Sequence, residues 1–208
     1  RVILKRAGQQ GVVGVAHKTP SATHEDAPAF MVLSSILSSG KNSRFYKKIT
    51  DKGLTTSVFI WDSLFRDPGL FAVYANLTPG TDHKKVEEII MGEYEAIKQN
   101  GVTEEEVDKA KAQLVANMKF RQDGSYMVAG SLNEAIASGD WTLYTTYEEK
   151  VSAVNAQDIQ SIVERYFLED LSTVGHFVPK SSGAQATRRG PSSATELGEM
   201  KKKYFSTE

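Results

Sequence analysis

Four histidines carry most of the chemistry that this chain could do near neutral pH: His17, His24, His83 and His176. Imidazole is a common metal ligand and general base, because its pKa lies close to neutrality. Zinc hydrolases place two such rings one helical turn apart, with a glutamate that activates the metal-bound water, as H-x-x-E-H or H-E-x-x-H. No two histidines here stand that close in sequence, so neither motif is present. His83 and Glu87 stand at i,i+4 and could share a metal on a helix, but no third ligand is evident from the sequence. The simpler reading is a solvated helix start, with Glu87 and Glu88 facing water. His24-Glu25-Asp26 reads as a helix N-terminus whose acidic residues complement the dipole. His17 and His176 sit on apolar strands and read as core or edge histidines.

The remaining polar candidates are weaker. Gly40-Lys41-Asn42 lacks the earlier glycine and the following Ser/Thr of a phosphate loop. Ser43 has no base placed beside it by sequence, and a helix cap accounts for it. Lys47, Lys48 and Lys52, like Lys201 to Lys203, read as solvated faces. With no cysteine in the chain, thiolate nucleophiles, disulfides and Cys-based zinc sites are excluded.

The elements that would position these residues follow from periodicity. Val2–Leu4 and Gly11–Ala16 read as strands, and about Asp26 to Leu37 as a helix largely apolar around its circumference, with Pro28 in the first turn. Asn42 or Ser43 is expected to cap a helix that Gly53 ends. Thr55–Phe65 and Leu70–Leu77 alternate as an antiparallel pair around the turn Arg66-Asp67-Pro68-Gly69, where Gly allows φ > 0. Both faces of that pair carry apolar residues, so neither is expected to be freely solvated. Asp82–Asn100 and the helix capped by Thr103 and Glu106 are expected to form an αα-hairpin. Residues 124–138 read as helical, 142–154 less plainly, Asn155 caps a further helix, and Leu171–Val178 is a last strand. The pattern gives an α+β fold: one mostly antiparallel sheet with helices on one face.

Composition fits one domain of generous size. The chain has 208 residues, 40% hydrophobic and 25% charged, with a formal net charge of −1. That balance argues against nucleic acid as a partner. No apolar run reaches the ~18 residues of a membrane span. The chain starts abruptly on the strand-like R-V-I-L-K-R, so residues are expected upstream. Neither a periplasmic nor a cytoplasmic location follows from it. Residues 180–208 turn Ser-, Gly- and Ala-rich and read as a flexible linker, with Leu197, Met200 and Tyr204 spaced for a short docking helix.

The stretch Ser39–Leu54, S-G-K-N-S-R-F-Y-K-K-I-T-D-K-G-L, resembles the opening of the C-terminal half of pitrilysin-type zinc peptidases (inverzincins), the group that includes the mitochondrial processing peptidases. Other stretches match in order: T-P-S-A-T-H-E-D-A-P-A-F-M-V-L-S-S-I-L upstream, then T-P-G-T-D-H-K-K-V-E-E-I-I, G-V-T-E-E-E-V-D-K-A-K and V-N-A-Q-D-I-Q-S-I-V-E-R-Y-F. Together they span residues 1–179. Without H-x-x-E-H, the resemblance implies the non-catalytic half, with no catalytic residue and no metal ligand of its own. Zinc would then be held by a partner half, upstream on the same chain or on another subunit. The implied role is to close a chamber and bind unfolded peptide. Coupled members of the family supply an Arg and a Tyr seven residues apart. Those positions fall on Ile49 and Thr56, and neither matches. Arg44 stands nearby, but the role does not carry over to it. A structural or assembly subunit with the same fold is the second expectation, and an unrelated α+β binding domain the third.

Overall fold

The computed structural model describes residues 1–120 and 124–180. Lys180, expected to open the linker, instead ends a strand opposite Ala7; the rest of the expected linker, the docking segment around Leu197, Met200 and Tyr204, and Lys201 to Lys203 lie outside the described residues. Five strands form one sheet: β1 (Val2–Ala7), β2 (Val12–Lys18), β3 (Thr55–Asp62), β4 (Leu70–Leu77) and β5 (Thr173–Lys180). Their order is β1-β5-β2-β4-β3. Only β1 and β5 run parallel; β5–β2, β2–β4 and β4–β3 are antiparallel.

Alternation along the strands decides which side is covered. Val13, Val15 and His17 of β2 pair with Ala75, Val73 and Phe71 of β4, and all six are buried. On this side α1 (Ala27–Ser38) lies against β3 and α2 (His83–Asn100) against β2; α3 (Glu104–Phe120), α5 (Leu143–Ala153) and α6 (Ala156–Tyr166) pack on these helices, and α4 (Ser125–Ala137) packs on α5. Phe30, Leu33, Ile90, Tyr94, Ile162 and Phe167 complete one continuous core with the apolar strand residues. At ~25 cal/mol per Å² of apolar surface, burial on this scale is the main stabilising term. The three-residue connection between α2 and α3 is as short as expected. Beyond it α2 lies against β2 and α6, while α3 lies against α1 and α5.

Local signals that depend on neighbouring residues appear where expected. Thr103 Oγ1 accepts from the Glu106 amide (3.2 Å), and Glu106 Oε2 accepts from the Thr103 amide (3.0 Å). Asn155 and Asp158 make a second capping box at α6.

Two expectations are corrected. The helix after Gly40 forms over residues 44–50 and Gly53 follows it at φ 71° as expected, but Tyr46–Thr50 takes π rather than α geometry. Ser43 does not cap it through its side chain, because its Oγ donates backwards to Gly40 O (2.7 Å). The β3–β4 connection needs Gly69 for space rather than for positive φ. A Cβ there would lie 1.9 Å from Ser63 O, and Gly69 is not among the positive-φ glycines.

Candidate functional site

The two positions implied by the family resemblance do not share a surface. Ile49 is fully buried in the core. Thr56 is exposed at the β-bulge between Thr55 and Ser57, where its Oγ1 accepts from Gln10 Nε2 (2.6 Å). Arg44 is engaged elsewhere. Its Nε and Nη2 fork onto Glu106 Oε1 and Oε2 (2.7 and 2.6 Å), and Nη1 donates to Glu93 Oε1 (2.9 Å). Glu93 is 1% exposed and is also paired by Lys48, so this lysine does not belong to a merely solvated face. The Arg44 fork holds the Glu106 carboxyl down at about 2. Arg44 therefore ties the Gly40 loop to α2 and α3. The sequence hid this, since its partners stand 49 and 62 residues away.

The histidines divide the same way. His17 lies between Tyr94 and Phe167, and burial pushes its pKa down to about 4. His24 Nδ1 accepts from the Asp26 amide (3.1 Å) and closes a turn. The Asp26 carboxylate does not cap α1. It is held by Arg165 Nη2 (2.7 Å) and the Tyr166 hydroxyl (2.8 Å), pinning α1 to the end of α6. His83 and His176 come together, ring centroids 5.5 Å apart, with His83 Nε2 2.8 Å from Phe177 O. Glu87 does not face water. It is 6% exposed and sits between His176 Nε2 (2.7 Å) and Arg1 Nε (2.8 Å). Among the described residues no three His, Asp or Glu side chains are arranged to hold a metal ion.

What the chain does present is a surface. On the side of the sheet away from the helices, Val2, Leu4, Phe177, Tyr74, Phe59 and Trp61 share one face by register. Phe59 and Trp61 are 49% and 52% exposed, and Phe59 stacks on Tyr74 at 5.3 Å. The expectation that neither face of the β3–β4 pair is freely solvated is thus corrected: within this chain the face is open. Strand β3 ends the sheet, so its outer backbone groups have no strand partner among the described residues. A strand edge beside an apolar face can take up an extended chain by backbone hydrogen bonding. No described helix is long and apolar enough to cross a membrane.

Comparison with known proteins points one way. The family model described as Peptidase M16 inactive domain matches residues 1–114. The zinc protease PqqE of Helicobacter pylori is 25% identical over 80% of this chain and 38% of its own length. The uncharacterized zinc protease YmxG of Bacillus subtilis is 25% identical over 82% of this chain and 42% of its own. The chain thus spans about two-fifths of these relatives. Among solved structures, a protease from Helicobacter pylori superposes with a TM-score of 0.81 at 24% identity, over 86% of this chain and 44% of that one. The inactive peptidase domain of a candidate zinc protease from Bordetella parapertussis gives 0.77 at 24% identity, over 88% of this chain and 98% of that one. At these identities the structural likeness establishes the fold.

Proposed function

Because this chain belongs to the Peptidase M16 inactive domain family, we propose that it is the non-catalytic half of a zinc metalloendopeptidase, closing a chamber around unfolded peptide beside a zinc-bearing half. In this reading residues 1–180 form the half-domain and residues 181–208 a linker. Zinc and the glutamate base belong to the other half, on the same chain or a second subunit. This half contributes the wall. An enclosing wall excludes water and holds a substrate in place, both of which raise the rate of a metal-assisted hydrolysis.

The observation that carries the reading is the bare aromatic face next to the free edge of β3. A sheet whose helix side carries the core and whose other side leaves Phe59 and Trp61 half-exposed suits a domain that works against another surface. The test mixes the chain with its zinc-bearing half and follows cleavage of an unstructured peptide. The rate rises on addition of the chain, and the gain is lost when the glutamate base of the zinc half is replaced. An unchanged rate would contradict this and support the second reading, a structural subunit. That second reading draws on Ile49 and Thr56, which stand where the family's coupled members carry Arg and Tyr.

A further inference from the structure

Beside the end of β3 lies a cavity of about 630 Å³ between α1, α4 and α5. Its walls are apolar and aromatic: Met31, Leu64, Phe65, Leu143, Tyr144 and Tyr147 among them. At its base sits Asp62, the last residue of the helix-facing row of β3. Asp62 Oδ1 is buried with no hydrogen-bond partner among the described residues, as is Ser131 Oγ, which also lines the cavity. Among the described residues no lysine or arginine lines it; Glu148, at its rim, is paired with Lys119 (3.5 Å).

We infer that this cavity is a subsite for the cationic, aliphatic-stemmed side chain of an extended peptide, lysine in type, with Asp62 as the counter-ion. The inference rests on the peptide-binding reading above. A carboxylate buried without a partner is costly, and its cost falls when a cation arrives. Burial pushes the Asp62 carboxyl up to about 7 and, with Asp62 nearby, holds the Tyr147 hydroxyl at about 12. Apolar walls suit a tetramethylene stem, and the faces of Tyr144 and Tyr147 suit an ammonium head. The register agrees. In β3 the side chains of Val58, Ile60 and Asp62 face the helices. A strand added along the free edge of β3 alternates likewise, so every second side chain points to the layer that holds the cavity.

The experiment titrates the chain with Ac-Ala-Ala-X-Ala-Ala-NH2, with X lysine, norleucine or glutamate, followed by NMR of the isotope-labelled protein. The Bordetella parapertussis structure, a chain that is almost wholly this domain, shows that such a half is studied alone. The lysine peptide binds at least tenfold tighter than the norleucine peptide, and the glutamate peptide is weaker than both. Asp62→Asn removes the lysine advantage and leaves norleucine affinity unchanged, with a melting curve that verifies the fold. Equal affinity for lysine and norleucine would overturn the subsite, as would an advantage that survives Asp62→Asn. Absence of binding by every peptide would overturn it too. n-Butylammonium binding at Asp62 as tightly as the lysine peptide would assign the cavity to a free amine and overturn the peptide proposal. Peptides that bind without regard to X sink the subsite alone, because the chamber reading is judged by the cleavage assay.

Discussion

The two sides of the sheet are built from alternate residues of the same five strands, yet they are finished to different degrees. On the helix side, Val13, Val15, Phe71 and Val73 are completely enclosed, and the ion pairs around them close within the chain. On the other side, Phe59, Trp61, Val2 and Leu4 stand well exposed. A strand cannot change one side without the other in register, since a slip of one residue exchanges both sets. The core is therefore built on the helix side, and the opposite row stays uncovered within this chain.

Substitutions can sharpen this contrast. The largest effect is expected at Ile49. Placing arginine there buries an unpaired charge, so Ile49→Arg should cost ~5 kcal/mol in denaturant unfolding. Phe59→Arg, on the open side, should cost under ~1 kcal/mol. Comparable losses at the two positions would break the comparison.

Next comes the buried ion network. Arg44→Ala leaves Glu93 with Lys48 alone and frees the Glu106 fork, and ~3 kcal/mol of stability should be lost at pH 7. A loss within ~0.5 kcal/mol would mean that the network is not buried in solution.

The third test uses pH. The pKa of His17 falls from 6.5 to about 4 on folding. Above 6.5 both states are neutral there and the stability is fully present. As pH drops from 6.5 towards 4, the unfolded chain takes up a proton that the fold does not, and stability falls. The loss is at most on the order of 3 kcal/mol. His17→Phe should flatten that part of the profile, as read from unfolding free energies between pH 4 and 7. A slope that persists in the variant would place the proton elsewhere.

The smallest effect belongs to the α3 cap. Thr103→Ala should cost ~1 kcal/mol and lower Tm by roughly 2–4 °C, as followed by circular dichroism.

Features encoded within a few residues were legible in the sequence: the strand alternation, the capping box at Thr103 and the cap at Asn155, whose reciprocal partner Asp158 only the structure shows. The α+β sheet with one helical layer followed from them. Features that depend on distant partners were not. Glu87 looked solvated because nothing nearby in sequence reveals His176 and Arg1 as its neighbours. Asp62 gave no signal at all, as an acid at a strand end is ordinary until its surroundings are seen. The helix at 44–50 was legible from the spacing of Phe45 and Ile49, both buried, but its π geometry over Tyr46–Thr50 was not, because no residue type marks it. For the candidate site, the sequence identified the β3–β4 pair but not its free edge, because strand order is set by pairings across the whole chain.

The central claim is that the open side of the sheet, with the edge of β3, is where this domain meets its partner half and the peptide between them. Hydrogen exchange of the chain alone and mixed with the zinc-bearing half and an uncleaved peptide tests it most directly. The account predicts new protection concentrated on the amides of β3, with the helical layer unchanged. Protection confined to α2–α6, or none on β3, would contradict it.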